Sequence, residues 1–285
     1  MNLSLRVHGR RPDGFHAITT VLQTIDLCDR LRVSRTDSAA PLALELPDGG
    51  APEDDSNLVL VAARTFFEAI GEPARGVRFE LRKSIPAGSG LGGGSSDAAE
   101  TLAALQELWG EPLSSDDLHA VAAAVGSDVP FFLVGGTVLA TGRGEELRAL
   151  PDIGTASVVV AVPAVEVSTE EVFRCWSGVR SPVGERRGVD LLPAEAARAE
   201  AASWLRGNDL EPVARRLHPE VDRLLLALRG AAPGRSDRGP QVSGSGGAVF
   251  GIGSWKDAER AVEGLGVRVI RTATRGRRRG ADSDS

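Results

Sequence analysis

The stretch Pro86-Ala-Gly-Ser-Gly-Leu-Gly-Gly-Gly-Ser-Ser-Asp-Ala-Ala99 decides how this chain is read. Five glycines fall between Gly88 and Gly94. Val77 to Ile85 reads as a strand before them, and Ser95 to Leu108 as a helix after them. Glycine takes positive φ freely and lets a backbone approach a ligand closely. A helix start adds N–H groups with no intrahelical acceptor and a positive dipole end. Together these features make an anion site, most often for phosphate. Ser95 and Ser96 are expected to cap the helix and to offer hydroxyls to a phosphate or a metal. The plainer reading of the same letters is a flexible turn capped by serine. The strand–loop–helix order favours the phosphate site, because that mechanism requires it.

The loop does not name its ligand. Gly88-x-Gly90-x-x-Gly93 matches the dinucleotide fingerprint by letter. The acidic residue expected about 20 positions on would fall in Ser114-Ser-Asp-Asp117, which reads better as another helix start. A Walker loop ends in Gly-Lys-Ser/Thr, and Gly94-Ser-Ser96 has no lysine there.

Outward from the loop, the 285 residues suffice for one large or two modest domains. With 42% apolar residues the chain can bury a core. A formal charge of −6 argues against a general nucleic-acid binder. Cys28 and Cys175 lie far apart without metal spacing, which suits a reducing compartment. No apolar run reaches membrane-span length and no signal peptide precedes the first strand. The expectation is a soluble cytoplasmic protein. Of 33 basic residues only Lys83 and Lys256 are lysines, which draws attention to Lys83, just before the loop.

Alternation at Leu3, Leu5 and Val7 predicts a strand, and Arg10 to Gly14 a turn. Further strands are expected over Thr20–Ile25, Arg30–Val33 and Leu42–Leu46. A helix opens at Ser56-Asn57-Leu58 and closes at Gly71. Another, capped by Ser114 or Ser115, ends at Gly126, and Asp128 follows ahead of an apolar run. Val138–Thr141 reads as a strand and Gly142–Gly144 as a turn. Beyond a boundary between Leu150 and Thr155, strands are expected at Ser157–Val162, before Phe250 and at Val267–Ile270. Helices are expected after Ser168, over Ala194–Leu205, over Leu210–Leu228 and from Ser254. Gly178–Gly188 and Ala231–Pro240 read as loops. Alternating helices and strands in this half suggest helices packed on one sheet.

The ordered set Asn2-Leu-Ser-Leu, Arg11-Pro-Asp-Gly-Phe-His16, Ser56-Asn-Leu-Val59, the Pro86–Ala99 loop, Gly126-Ser-Asp-Val-Pro130, Asn208-Asp-Leu-Glu-Pro212 and Ser243-Gly-Ser-Gly246 resembles the GHMP kinases. The resemblance runs from Met1 to about Thr274. The glycine loop specifies only the superfamily. The Arg-Pro-Asp-Gly-aromatic-His turn and the Asn-Asp-Leu-Glu-Pro segment point to the branch that acts on a cytidine-diphosphate-linked methylerythritol.

The resemblance implies an α+β, two-domain GHMP kinase fold. Residues 1–152 would form an ATP-binding domain like ribosomal protein S5 domain 2. Residues 153–274 would form a ferredoxin-like domain, and 275–285 a disordered tail. The implied reaction moves the γ-phosphoryl of ATP, with Mg2+, to the 2-hydroxyl of the small-molecule substrate, a step of non-mevalonate isoprenoid synthesis. Pro86, Ala87, Gly88, Ser89, Gly90, Leu91, Gly92, Gly93, Gly94, Ser95 and Ser96 would hold the ATP phosphates. Ser95 or Ser96 would reach the metal.

Asn57 and Lys83 match family positions near the adenine; their plain readings are a helix cap and a solvated strand-end charge. Asp128 would be the general base; its plain reading is an Asx turn at a helix end. His16 would hydrogen-bond the cytosine, with Phe15 and Phe173 stacking on it. Asn2 would contact the substrate near the transfer site. Gly244 and Ser245 would close over the phosphate region, where the plain reading is a hairpin turn.

Two departures stand out. Phe15 replaces the family's tyrosine, which keeps a ring and loses a hydroxyl. The family pattern Lys-Ile-Asn-Leu meets Met1 at the isoleucine position. That lysine would steady developing charge and keep the aspartate ionised. With the later motifs intact, the expectation is a start codon upstream of Met1. The alternatives are another GHMP small-molecule kinase and a catalytically impaired nucleotide-binding homologue.

Overall fold

The computed structural model describes residues 1–37, 39–176, 207–232 and 239–277. They fall into two compact units that alternate along the chain. One holds Met1–Asp26, Gly88–Leu91 and the chain from Gly135 onward; the other holds Leu27–Ala87 and Gly92–Val134.

In the first unit, β1 (Asn2–Arg10) and β2 (His16–Gln23) form an antiparallel hairpin across the Arg11–Phe15 turn. With β6 (Thr137–Thr141) and β7 (Glu146–Ala149) they make a sheet of order β1-β2-β6-β7. Strand β7 is not foreseen in the sequence, because a four-residue strand with only Leu147 and Ala149 on its apolar face gives too short an alternation to stand out. The second sheet has order β11-β8-β10-β9, built from β8 (Ser157–Pro163), β9 (Gln241–Val242), β10 (Val249–Ile252) and β11 (Val267–Ala273). Helices α5 (Thr169–Cys175), α6 (Glu211–Leu217), α7 (Pro219–Gly230) and α8 (Ala258–Ala261) accompany it. Leu5, Val159, Val172, Leu210, Leu224 and Trp255 share one buried core.

Three expectations change here. The helix read over Leu210–Leu228 is two helices, broken at His218-Pro219. Proline lacks the N–H a continuing helix needs and pushes the residue before it out of helical backbone; His218 has φ −127° and ψ 92°. The helix expected from Ser254 is the short α8, and its cap is Asp257. Arg275 and Arg277, in the expected tail, are bonded: Arg275 N–H donates to Thr24 O at 2.9 Å and Arg277 N–H to Asp152 Oδ2 at 2.9 Å. The readings at Gly178–Gly188 and Ala194–Leu205 lie outside the described residues, as does the chain after Arg277.

In the second unit, β5 (Val77–Arg82) is the middle strand of a three-stranded sheet. It pairs antiparallel with β3 (Arg30–Arg35) and parallel with β4 (Ala43–Glu45). Four helices pack with it: α1 (Leu58–Ala69), α2 (Gly93–Leu108), α3 (Ser115–Val125) and α4 (Val129–Val134). Val59, Ala63, Phe66 and Phe67 repeat at helical spacing on α1 and are buried with Phe79, Leu81, Leu102 and Leu105. The alternation Val77, Phe79, Leu81 faces that core from β5, each fully buried. Burying such side chains stabilises by roughly 1.5–3 kcal/mol each. This fixes where β5 ends and α2 begins, the two ends of the glycine loop.

Candidate active site

The glycine loop contributes to both units and is described in its parts. Its entry, in the second unit, is held by Asp29. One carboxylate oxygen accepts the N–H groups of Ser84 at 2.5 Å and Ile85 at 2.9 Å. The other accepts from Lys83 Nζ at 2.5 Å, and Lys83 also donates to Asp97 Oδ2 at 2.6 Å. The three side chains are between 3% and 8% exposed. Lys83 is therefore not a solvated strand-end charge but the shared cation of two buried carboxylates. Burial, opposed by Lys83 and helped by the charge of Asp29, raises the Asp97 pKa from 3.8 to about 7.

Helix α2 starts at Gly93, two residues before the sequence-based expectation. Its cap is Gly92 at φ 74°, and neither Ser95 nor Ser96 caps it. Packing decides this. A Cβ at Gly92 would lie 2.8 Å from the Phe132 ring, and one at Gly93 would lie 2.9 Å from Ile85. Only glycine lets the backbone turn there. Ser96 N–H closes the first turn on Gly92 O at 2.8 Å. The N–H groups of Gly93, Gly94 and Ser95 precede that bond and have no acceptor within the helix. They are the N–H groups a helix start leaves open, with both serine hydroxyls in the same turn.

Asn57 caps α1: its Oδ1 accepts Val59 N–H at 2.9 Å and its Nδ2 donates to Pro52 O at 2.7 Å. Asp128 sits between Gly126, the end of α3, and Val129, the start of α4. The plain reading fails for it, since Asp128 forms no hydrogen bond among the described residues and so makes no Asx turn. Solvent reaches the side chain, yet the protein around its carboxyl raises the pKa above the ordinary carboxylate value. Exposure limits that rise, because water still solvates the charged form.

The first unit holds Gly88–Leu91, and a second glycine turn braces it. Gly90 has φ 77°, and a Cβ there would lie 2.6 Å from Ser243 O and 2.7 Å from Gly246 Cα. Ala248 N–H donates to Ser89 O at 2.9 Å and Ser243 Oγ to Gly90 O at 3.0 Å. Gly244 takes φ 58°, and Ser245 Oγ donates to Thr169 Oγ1 at 2.8 Å. Asn2 lies beside this turn: its N–H donates to Ser243 Oγ at 3.2 Å and its Nδ2 to Thr20 Oγ1 at 3.0 Å.

The aromatic residues of this unit gather around His16. Phe173, on α5, stacks on the imidazole at 5.3 Å between centroids, with 27° between planes. Trp176 meets it edge-on at 5.7 Å. Phe15 is 54% exposed, with the Arg143 guanidinium 5.0 Å from its ring centroid. Burial, with the charge of Arg10, lowers the His16 pKa below its ordinary value, which favours the neutral imidazole. A neutral imidazole donates at one nitrogen and accepts at the other.

The sequence reading passed over Asp29, Asp97, Trp176 and Ser243 as individual residues. It quoted Asn208 only as part of a motif. Asp29 has no motif signal at all. Asp97 and Ser243 lie inside quoted motifs, and a check for polar side chains flanking the glycines would have found them.

Among the described residues no group of three His, Cys, Asp or Glu could hold a metal ion, and no helix is long and apolar enough to cross a membrane.

Comparison with known proteins agrees with the resemblance. The GHMP kinases N terminal domain matches residues 57–136. A 4-diphosphocytidyl-2-C-methyl-D-erythritol kinase from Moorella thermoacetica is 38% identical over 268 residues, 92% of this chain and 90% of that protein. A crystal structure of 4-(cytidine 5'-diphospho)-2C-methyl-D-erythritol kinase superposes with a TM-score of 0.73 at 38% identity, covering 96% of each chain. Homoserine kinase from Cytophaga hutchinsonii, at 20% identity, has the same fold with a TM-score of 0.62 over 93% of this chain and 89% of its own. The α+β GHMP kinase fold expected from the motifs is the fold observed.

Proposed function

We infer the activity of this chain from its family, because it belongs to the 4-diphosphocytidyl-2-C-methyl-D-erythritol kinases, a branch of the GHMP kinases. It phosphorylates an alcohol, the hydroxyl of the cytidine-diphosphate-linked methylerythritol, in isoprenoid precursor synthesis. The observation that carries this reading is 38% identity to a solved kinase of that name over 96% of the chain.

ATP is the proposed donor. Phosphoryl transfer asks the protein for alignment and charge neutralisation more than for covalent chemistry. The N–H groups of Gly93, Gly94 and Ser95 and the glycine backbone from Gly88 would take the phosphates. Mg2+ fits this donor set as an ion held mostly by phosphate and water, with a Ser95 or Ser96 hydroxyl as a protein ligand. When bound, it would neutralise phosphate charge. Asn57 and Lys83 already have structural partners, so we assign them to fixing the segments that flank the loop.

Asp128 is the proposed base. It accepts no hydrogen bond among the described residues, and its raised pKa brings it nearer the pH at which a base both ionises and accepts a proton well. His16, neutral and able to donate and accept, suits the polar edge of a cytosine. Phe173 and Phe15 supply apolar faces for the ring. Asn2, Gly244 and Ser245 are proposed on the substrate side near the transfer site. The nucleotide would belong to residues 1–152, and residues 153–274 would add Phe173 and the second glycine turn.

Phosphorus NMR tests this directly. With magnesium-ATP and the cytidine-linked methylerythritol, a new phosphomonoester signal should grow in step with ADP. ADP formation with homoserine or mevalonate, and none with the cytidine-linked alcohol, would overturn the substrate assignment while leaving a GHMP kinase.

A further inference from the structure

The Asn208-Asp-Leu-Glu211 segment marks the family branch, yet nothing above gives it work to do. Its backbone runs beside β1: Leu5 N–H donates to Gly207 O at 3.0 Å, and Asp209 N–H donates to Leu5 O at 3.0 Å. Every side chain of the segment then reaches a defined target. Asp209 accepts Val7 N–H at 3.0 Å and Arg6 Nη1 at 2.8 Å. Leu210 is fully buried in the core. Glu211 accepts Val242 N–H at 3.3 Å and Arg229 Nη2 at 2.9 Å. Asn208 is 8% exposed and uses both ends of its amide. Its Nδ2 donates to Val242 O at 3.0 Å and to Gly244 O at 2.6 Å, and its Oδ1 accepts Leu210 N–H at 2.9 Å.

The two carbonyls held by Asn208 lie on either side of Ser243. Ser243 is fully buried, and its hydroxyl donates to Gly90 O. Gly246, in the same turn, packs so closely on the first loop that a Cβ there would lie 2.4 Å from Gly90 Cα. A continuous series of polar and backbone contacts thus runs from β1 through Asn208 and the second glycine turn to Ser89 and Gly90. We propose that Asn208 is a positioning residue for the Ser89–Gly90 part of the glycine loop, acting through the Val242–Gly246 turn; this rests on the reading of that loop as a nucleotide site.

The residue type is specific to the task. Two buried carbonyl oxygens need two donors from one short side chain, and an amide NH2 provides them. Aspartate has the same shape but no donor, and it would set a carboxylate against two carbonyl oxygens. Leucine has the volume without the polarity and would leave both carbonyls unsatisfied in the interior. Glycine at 90 and 246 transmits the register, since no side chain cushions the contact.

The test uses the full chain in three forms: wild type, Asn208→Asp and Ser243→Ala. Magnesium-ADP affinity is measured by calorimetry well below each protein's unfolding midpoint, alongside kcat at saturating ATP. Displacing a binding group by about an ångström costs on the order of tenfold to a hundredfold. Asn208→Asp should therefore bind magnesium-ADP at least about tenfold more weakly, while kcat at saturation falls much less. Ser243→Ala keeps the Asn208 bonds and loses the link to Gly90 O together with the longer bond from Asn2 N–H, so it should shift the same affinity in the same direction by a smaller factor.

A purely structural role would lower the unfolding midpoint and leave ADP affinity untouched. That result in folded Asn208→Asp overturns the proposal. If Asn208→Asp does not fold, wild-type affinity in Ser243→Ala overturns it alone. A wild-type chain that binds no magnesium-ADP would overturn the nucleotide reading, and the inference with it. Wild-type binding with unmoved variants overturns the inference only.

Discussion

Replacing Asp97 by asparagine should flatten the pH dependence of stability in a defined window. Asp97 lies on α2 with its side chain 6% exposed, 2.6 Å from Lys83 Nζ. Its pKa rises from 3.8 to about 7, first through burial, with Asp29 adding repulsion and Lys83 opposing both. A carboxyl whose folded pKa exceeds its unfolded value binds more protons in the native state between those two values. Stability then falls as pH rises through the window from about 4 to about 7. At about 1.4 kcal/mol per pH unit, the loss attributable to Asp97 is at most about 4 kcal/mol. Asparagine keeps an acceptor oxygen toward Lys83 and cannot ionise. The difference in unfolding free energy between Asp97→Asn and wild type should therefore move in favour of the variant by about 1–4 kcal/mol between pH 5 and pH 8. Urea denaturation of both proteins across that range reads it. Carboxylates outside the Asp29–Lys83–Asp97 cluster cancel in the comparison. Parallel stability curves for the two proteins would show that Asp97 is ionised throughout, and the burial argument for this cluster would be wrong.

Three further outcomes follow from the site. Asp128→Asn should lower kcat by about 10²–10⁴, the usual contribution of a positioned base, with little change in KM for ATP; a coupled ADP assay at undiminished kcat would remove Asp128 from the chemistry. Phe173→Ala takes away the ring stacked on His16 and should raise KM for the cytidine-linked alcohol by the equivalent of about 1–3 kcal/mol of stacking. KM for ATP should stay near the wild-type value, and an equal rise in both would mean that α5 had lost its place rather than a contact. Gly90→Ala forces a side chain into left-handed backbone, at roughly 1–2 kcal/mol, and drives a methyl group against Ser243 O and Gly246 Cα at under 3.0 Å. Calorimetry should show a midpoint lower by several degrees and weaker magnesium-ADP binding, and a thermal scan matching wild type would contradict the close packing of the two turns.

Much of this was legible in the letters, and the gaps have physical causes. Asn57 and Ser114 announced their helices because a side-chain oxygen ahead of an apolar stripe has few better uses than capping; both caps are present. Ser95 carried the same signal and lost, since Gly92 and Gly93 pack against Phe132 and Ile85 where no side chain fits, and the helix begins at the glycines. Local propensity is overridden where tertiary contact sets the backbone. Strand β7 offered only Leu147 and Ala149 as an apolar alternation, too short to stand out, yet it pairs with β6 along its whole length. The break at His218-Pro219 was available from proline chemistry and was masked by the apolar periodicity on either side. Asp29 stood 54 residues from Lys83, and no local pattern links such a pair.

The polar residues near the loop sort by what already satisfies them. Asn57 has its oxygen and one amide hydrogen engaged in capping, Lys83 has two carboxylates, and Asn208 has two carbonyls and an N–H. A group so engaged can join a ligand only by giving up a bond it makes in the folded chain, and a buried partner left behind would cost about 1–3 kcal/mol. Asp128 and the first N–H groups of α2 have nothing comparable to lose. Asp128 makes no hydrogen bond among the described residues, and Gly93, Gly94 and Ser95 precede the first intrahelical bond. A phosphate oxygen or an attacking hydroxyl therefore meets groups whose hydrogen-bonding capacity is still open. Family position alone placed Asn57, Lys83 and Asp128 together as site residues, and hydrogen-bond satisfaction separates them: the first two hold the frame, whereas Asp128, the proposed base, spends no hydrogen bond on it.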